Sequence, residues 1–150
     1  MLLAVKSVWQ YYVSSSDVLR LLEGFRRMVN DSLRIGLVND VSSLRKLSLL
    51  SYNQLAHYDS PSYYKLCAIS RAAGILAARR KSIRRGFTTR TPYAFRQHLL
   101  SCYGFKIENG YLRIPVSRGK RFSIPLTKHT LDIVSQPGAR FALSPSPGTN

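Results

Sequence analysis

Apolar positions along the chain change period near residue 101, and that change divides it into a helical part and a strand-rich part. Leu2 to Val13 mixes β-branched and aromatic residues (Val5, Val8, Trp9, Tyr11, Tyr12 and Val13) and predicts an opening strand over 1–13, broken by Ser14, Ser15 and Ser16. With Ser16 as N-cap, Val18, Leu22, Phe25, Val29 and Leu33 recur at helical spacing, with Gly36 just past the expected end. Arg20, Arg27 and Arg34 fall on the opposite, solvated face. A weaker second helix starts at Ser42 or Ser43, carries Leu44, Leu47, Leu50 and Leu55, and fades before Asp59. The third has Ser60 as cap and Pro61 at its first position. It aligns Tyr64, Cys67, Ala68, Ala72, Ile75, Leu76 and Ile83, and stops at Gly86. Ala68, Ala72, Ala73, Gly74, Ala77 and Ala78 would let another helix pack closely against it.

Beyond Gly86, Phe-Thr-Thr-Arg-Thr-Pro-Tyr reads as a loop, because Pro92 disfavours helical geometry at Thr91. Strict alternation then begins. Phe105 and Ile107 lead to Asn109-Gly110, the strongest two-residue hairpin signal. Leu112, Ile114 and Val116 return, and a turn at Ser117 to Lys120 leads to Phe122, Ile124 and Leu126. A short strand at Leu131 to Val134 and an edge at Arg140 to Leu143 would complete the set. The expected fold is one α+β module over 1–143. It consists of a small antiparallel β-barrel or meander, formed by the 1–13 strand and the strands of 101–143, with a 16–86 helical insert of about three helices. A flexible tail follows over 144–150.

With 45% hydrophobic and 11% aromatic residues, the chain is too apolar for a disordered basic tail. Its net charge of +16 is unevenly distributed. Between Pro61 and Leu100 it carries Lys65, Arg71, Arg79, Arg80, Lys81, Arg84, Arg85, Arg90 and Arg96 and no Asp or Glu, so this stretch supplies +9. Such a focused field attracts polyanions and gains free energy by counterion release. Nucleic acid is the leading partner, and an anionic membrane surface is the lesser one. Five of the seven residues from Arg79 to Arg85 are basic. Arg90, Tyr93, Phe95 and Arg96 follow, a mixture in which guanidinium groups hold phosphates while aromatics stack on unpaired bases. Arg118, Lys120 and Arg121 add a second cationic tip, which would share one groove with the helix if the helix packs over the meander.

Catalysis by the chain alone is not expected. The seven carboxylates (Asp17, Glu23, Asp31, Asp40, Asp59, Glu108 and Asp132) are scattered, and a two-metal nuclease needs several converging on one site. His57, His98 and His129 show no HxH or HExxH spacing, and there is no Gly-rich phosphate loop. No cofactor is implied. Cys67 and Cys102 form no CxxC pair and read as reduced core thiols, which suits a cytoplasmic or nucleoid-associated protein. No apolar run is long enough for a spanning helix.

Several segments, taken in order, resemble the N-terminal part of the OrfB or TnpB-type proteins of insertion sequences, the compact RNA-guided nucleases. They are Phe25-Arg-Arg-Met-Val-Asn-Asp-Ser-Leu33, Ser62-Tyr-Tyr-Lys-Leu-Cys-Ala-Ile-Ser-Arg-Ala-Ala73, Arg79 to Arg85, Thr91-Pro-Tyr93 and Phe105-Lys-Ile-Glu-Asn-Gly-Tyr-Leu-Arg-Ile114. Most of residues 1 to 135 fit this order. The resemblance implies a barrel-like wedge interrupted by a helical recognition module, the two together gripping guide RNA and its heteroduplex. The family's nuclease domain, with its acidic triad and zinc ribbon, would follow and is absent from these residues. The resulting expectation is a non-catalytic, truncated or stand-alone nucleic-acid-binding protein that favours RNA, with DNA possible. The alternatives are a structural protein of a ribonucleoprotein or nucleoid, and a subunit that completes a nuclease in trans.

Overall fold

The computed structural model describes residues 7–101, 104–117, 119–135 and 140–146. Three helices come first: α1 (Ser16–Asn39), α2 (Leu44–Ser51) and α3 (Ser62–Arg84), with a 3-10 turn at Asn53–Leu55 between the last two. Then follow β1 (Leu99–Ser101), β2 (Lys106–Glu108), β3 (Tyr111–Ser117), β4 (Lys120–Pro125), α4 (Lys128–Val134) and β5 (Phe141–Leu143).

α1 places Val18, Leu22, Phe25, Val29 and Leu33 in the core, the predicted stripe, together with Leu21, Met28 and Ile35. Its cap is Ser15, one residue before the expected Ser16: the Ser15 hydroxyl accepts from the Val18 N–H. Gly36 does not end the helix. α1 runs on to Asn39 and stops at Asp40, whose left-handed backbone (φ 52°, ψ 48°) returns its N–H to the carbonyls of Gly36 and Leu37. Gly36 is instead a packing position, since a Cβ there would lie 2.3 Å from Leu76 Cδ1 and 3.1 Å from the Val41 carbonyl oxygen.

α3 begins at Ser62 with Pro61 as its cap, so Ser60 and Pro61 both lie one step outside their expected places. It buries Tyr64, Ala68, Ala72 and Leu76 as predicted, and also Ile69 and Ala73, whereas Ile83 is exposed. The small side chains Ala68, Ala72 and Ala73 admit α1, the principal packing partner of α3. Gly74, Ala77 and Ala78 face outward.

The meander matches its pattern. β2, β3 and β4 form an antiparallel three-stranded sheet, and Leu112, Ile114, Val116 and Ile124 turn inward. Asn109 and Gly110, both at positive φ, make the first turn. A register shift between Pro115 and Ser117 bulges β3.

The sheet is open, so the barrel expectation gives way to a meander. β5 forms at 141–143 within the expected Arg140–Leu143 edge but pairs antiparallel with β1 in a separate two-stranded sheet. The opening strand is also corrected. Residues 7–15 contain no strand, and the earlier part of the expected 1–13 strand lies outside the described residues. The Gln10 side chain, and not a backbone ladder, ties this segment to the end of β4: its Nε2 donates to the Pro125 carbonyl at 2.7 Å, and its Oε1 accepts from the Thr127 N–H at 3.0 Å. The strand expected at Leu131 to Val134 is the helix α4. The Thr127 hydroxyl caps it by accepting from the Thr130 N–H, a start signal that outweighs the β-branched composition. The expected flexible tail is partly held, because Ser146 exchanges hydrogen bonds with Ser14 and donates to the Tyr12 carbonyl; residues 147–150 lie outside the described residues.

Candidate nucleic-acid interface

The C-terminal end of α3 is the more exposed of two cationic regions. Lys81 and Arg84 lie in its last turn, where cations suit the helix dipole, Arg85 caps it, and Gly86 turns the chain away at φ +87°. Lys81, Arg84 and Arg85 are exposed and, among the described residues, make no ion pair. Arg80 differs: its Nη2 donates to both the Asp40 carboxylate and the Asp40 carbonyl at 3.0 Å. Asp40 is 96% exposed, so this pair is weak and leaves much of the Arg80 charge to solvent. Arg79 is half-buried, with a buried Nε that has no hydrogen-bond partner.

The loop from Phe87 to His98 runs back along α1 and is pinned to it by side chains. Asn30 clamps Ala94, accepting from its N–H at 2.7 Å and donating to its carbonyl at 3.0 Å. Arg26 donates to the Ala94 carbonyl and the Tyr93 hydroxyl, and its guanidinium lies 5.8 Å from the Tyr93 ring centre. Glu23 anchors Arg26 with two bonds, at 2.6 and 3.0 Å, and accepts a third from the Gln97 amide at 2.7 Å. The Arg26 hydrogen bonds, acting against burial, bring the Glu23 carboxyl down to about 2. Tyr93 is therefore partly structural, although its ring remains half-exposed beside Phe95, which is 81% exposed. Arg90 and Arg96 are exposed. Arg71 is half-buried, and with Arg96 it adds to burial in lowering the His98 imidazole below its ordinary value.

At the other end of α3 is a cleft of about 900 Å³, walled by the 56–61 connection, the first turn of α3 and the β3–β4 turn. Lys65, Lys120 and Arg121 line it. Its walls are fixed. Tyr64, fully buried, donates to the Pro115 carbonyl at 2.8 Å and ties α3 to the bulge of β3. The Tyr63 ring packs on Gly104, where a Cβ would sit 2.6 Å from the ring and φ is +82°. Lys65 lies 14 to 20 residues before Arg79 to Arg85, which at 1.5 Å per residue is roughly 20 to 30 Å along the helix. The single groove expected from the sequence therefore resolves into two regions: Lys65, Lys120 and Arg121 at one end, and Arg79 to Arg85 at the other. Arg118 lies outside the described residues.

The residues that shape the interface from behind, Glu23, Arg26 and Asn30, were not singled out by the sequence. On α1 they read as solvated polar positions, and only the return of the loop across that helix gives them a role. Exposed Phe87 extends the aromatic content of the loop. Among the described residues no cluster of three or more His, Cys, Asp or Glu side chains could hold a metal ion, and no helix is long and apolar enough to cross a membrane. No protein-family model, no curated protein and no solved structure matches the chain.

Proposed function

We propose that this chain is a non-catalytic nucleic-acid-binding protein that takes single-stranded or structured RNA in preference to duplex DNA. One observation carries the reading: from Lys81 to Arg96 the chain holds exposed cations that have no ion-pair partner among the described residues, interleaved with exposed Phe87, Tyr93 and Phe95. The fold's own acids do not neutralise this region. Asp17, Glu23, Asp31 and Glu108 pair with Arg20, Arg26, Arg27, Arg34 and Arg113, and among the described residues only Asp40 pairs with the basic end of α3. Phosphates would neutralise the guanidinium and ammonium groups with release of counterions, and unpaired bases would stack on the exposed rings. A duplex offers no unpaired base to those rings, which favours RNA with single-stranded segments.

The OrfB and TnpB resemblance supplies a finer proposal, that the RNA is the structured non-coding RNA of a mobile element. The test is equilibrium binding to matched single-stranded RNA, structured RNA and duplex DNA across a salt series. Steep salt dependence with structured RNA preferred supports the reading. Equal affinity for all polyanions reduces it to a generic basic surface, and no binding at moderate salt refutes it. Sequencing the RNAs bound in cells tests the finer proposal: one dominant non-coding species supports it, and ribosomal RNA points to a ribonucleoprotein component.

A further inference from the structure

The cleft at the N-terminal end of α3 differs in kind from the open basic end. We infer that it is a subsite for the terminal phosphomonoester of a single-stranded nucleic acid, an inference that rests on the nucleic-acid reading above. Three cations from two separate elements, Lys65 of α3 and Lys120 and Arg121 of β4, line one concave space. None of them forms an ion pair among the described residues. Asp59 is the one carboxylate among the described residues of the lining, so cations outnumber carboxylates there by three to one. A terminal phosphate carries about −1.5 to −2 at neutral pH and gains more from this cationic excess than an internal phosphodiester, which brings a single negative charge. The Asp59 carboxylate, which would repel a bare polyanion, is suited to accept hydrogen bonds from the hydroxyls of a terminal ribose.

The volume fits as well. About 900 Å³ lies within the range of small-ligand sites and accommodates a nucleotide. Two independent features supply donors. Pro61 gives α3 no side-chain cap, and Ser62 and Tyr63, which carry the first N–H groups of the helix, line the cleft. The Ser60 hydroxyl, also in the lining, is buried and has no hydrogen-bond partner. A hydroxyl without a partner is costly, and rotation of the Ser60 side chain toward the cleft would offer it a phosphate oxygen or ribose hydroxyl. The aromatic rings of Tyr58 and Tyr63 complete the wall.

The test compares one oligonucleotide sequence with a 5′-phosphate, with a 3′-phosphate and with hydroxyls at both ends, using the full chain at fixed salt. Inorganic phosphate and a nucleoside monophosphate serve as competitors. One phosphorylated end is expected to bind about tenfold tighter than the hydroxyl form. That ratio should fall to about one in the variant Lys65→Gln, Lys120→Gln, Arg121→Gln. It should persist in Lys81→Gln, Arg84→Gln, Arg85→Gln even as all affinities drop. A ratio of one in the unsubstituted protein, with oligonucleotide binding intact, overturns the subsite and leaves the nucleic-acid reading standing. Binding of the monophosphate with no oligonucleotide bound overturns both, and assigns the cleft to free nucleotides. Circular dichroism of each variant identifies loss of folding, and single substitutions at exposed Lys120 or Arg121 provide the same readout without disturbing α3.

Discussion

The two ends of α3 carry the same kind of charge in opposite shapes. At the C-terminal end Lys81, Arg84 and Arg85 stand on a convex, solvated helix tip, followed by a loop held against α1. At the N-terminal end Lys65, Lys120 and Arg121 surround a concavity whose walls are fastened by the Tyr64–Pro115 bond and the Tyr63–Gly104 contact. A convex cationic tip contacts successive phosphates of a passing strand without choosing among them. A concave site with a matched charge and fixed donors selects one group. If the proposed nucleic-acid reading holds, charge alone would give affinity at one end, and geometry would add selectivity at the other.

The largest effect that would break this comparison is charge reversal at the open end. Lys81→Glu, Arg84→Glu, Arg85→Glu should weaken binding to every single-stranded RNA by on the order of 100-fold and reduce the log-log salt slope by about 2, from the loss of three phosphate contacts. Fluorescence anisotropy titrations at several salt concentrations provide the measurement, and an unchanged slope would remove this end from the interface.

Next in size is Gly36→Ala. Alanine is the better helix former, but the added methyl would meet the side chain of Leu76, midway between the two ends, and the Val41 carbonyl. A net loss of about 2 kcal/mol in urea denaturation is expected. A stabilised variant would show that α3 can shift relative to α1, and that the spacing of the two ends is not fixed.

Tyr64→Phe sharpens the contrast because the bond it removes lies behind the cleft wall and far from the basic end of α3. It removes the donor to the Pro115 carbonyl, costs about 1 kcal/mol, and should reduce the preference for a phosphorylated end while leaving the salt slope unchanged. Asn30→Ala is the counterpart on the loop. It removes both bonds to Ala94, costs about 1 kcal/mol, and should accelerate amide exchange at Ala94 without altering the phosphate preference.

The smallest effect is one of acidity. The Glu23 carboxyl lies near 2 in the folded chain against an ordinary 4.5, so its bonds to Arg26 and Gln97 contribute fully above about pH 4.5 and are lost as pH falls through about 2. His98, held below its ordinary 6.5 by burial, Arg71 and Arg96, acts in the same direction: the unfolded chain takes up its proton first, so stability declines as pH drops below 6.5. Urea midpoints measured against pH should therefore fall in two stages, and Glu23→Gln should flatten the lower one.

The sequence alone determined the local features of this protein. The stripe Val18, Leu22, Phe25, Val29 and Leu33, the Asn109-Gly110 turn and the alternation of Leu112, Ile114 and Val116 were legible because each depends on a period or a turn geometry contained within a few residues. The concentration of charge between Pro61 and Leu100 was legible for the same reason. Tertiary structure decided what depends on neighbours far along the chain. Gly36 looked like a helix stop, and only the approach of Leu76 and Leu47 from other helices makes it a packing site. The segment 7–15 has the composition of a strand, but it pairs with no strand, and Gln10 docks it by side-chain bonds to Pro125 and Thr127. The cationic residues were visible one by one. Their division into a concave end and a convex end followed from the bond that ties the start of α3 to β3 and from the return of the loop across α1, because long-range packing sets which charges share one space and one-dimensional spacing does not.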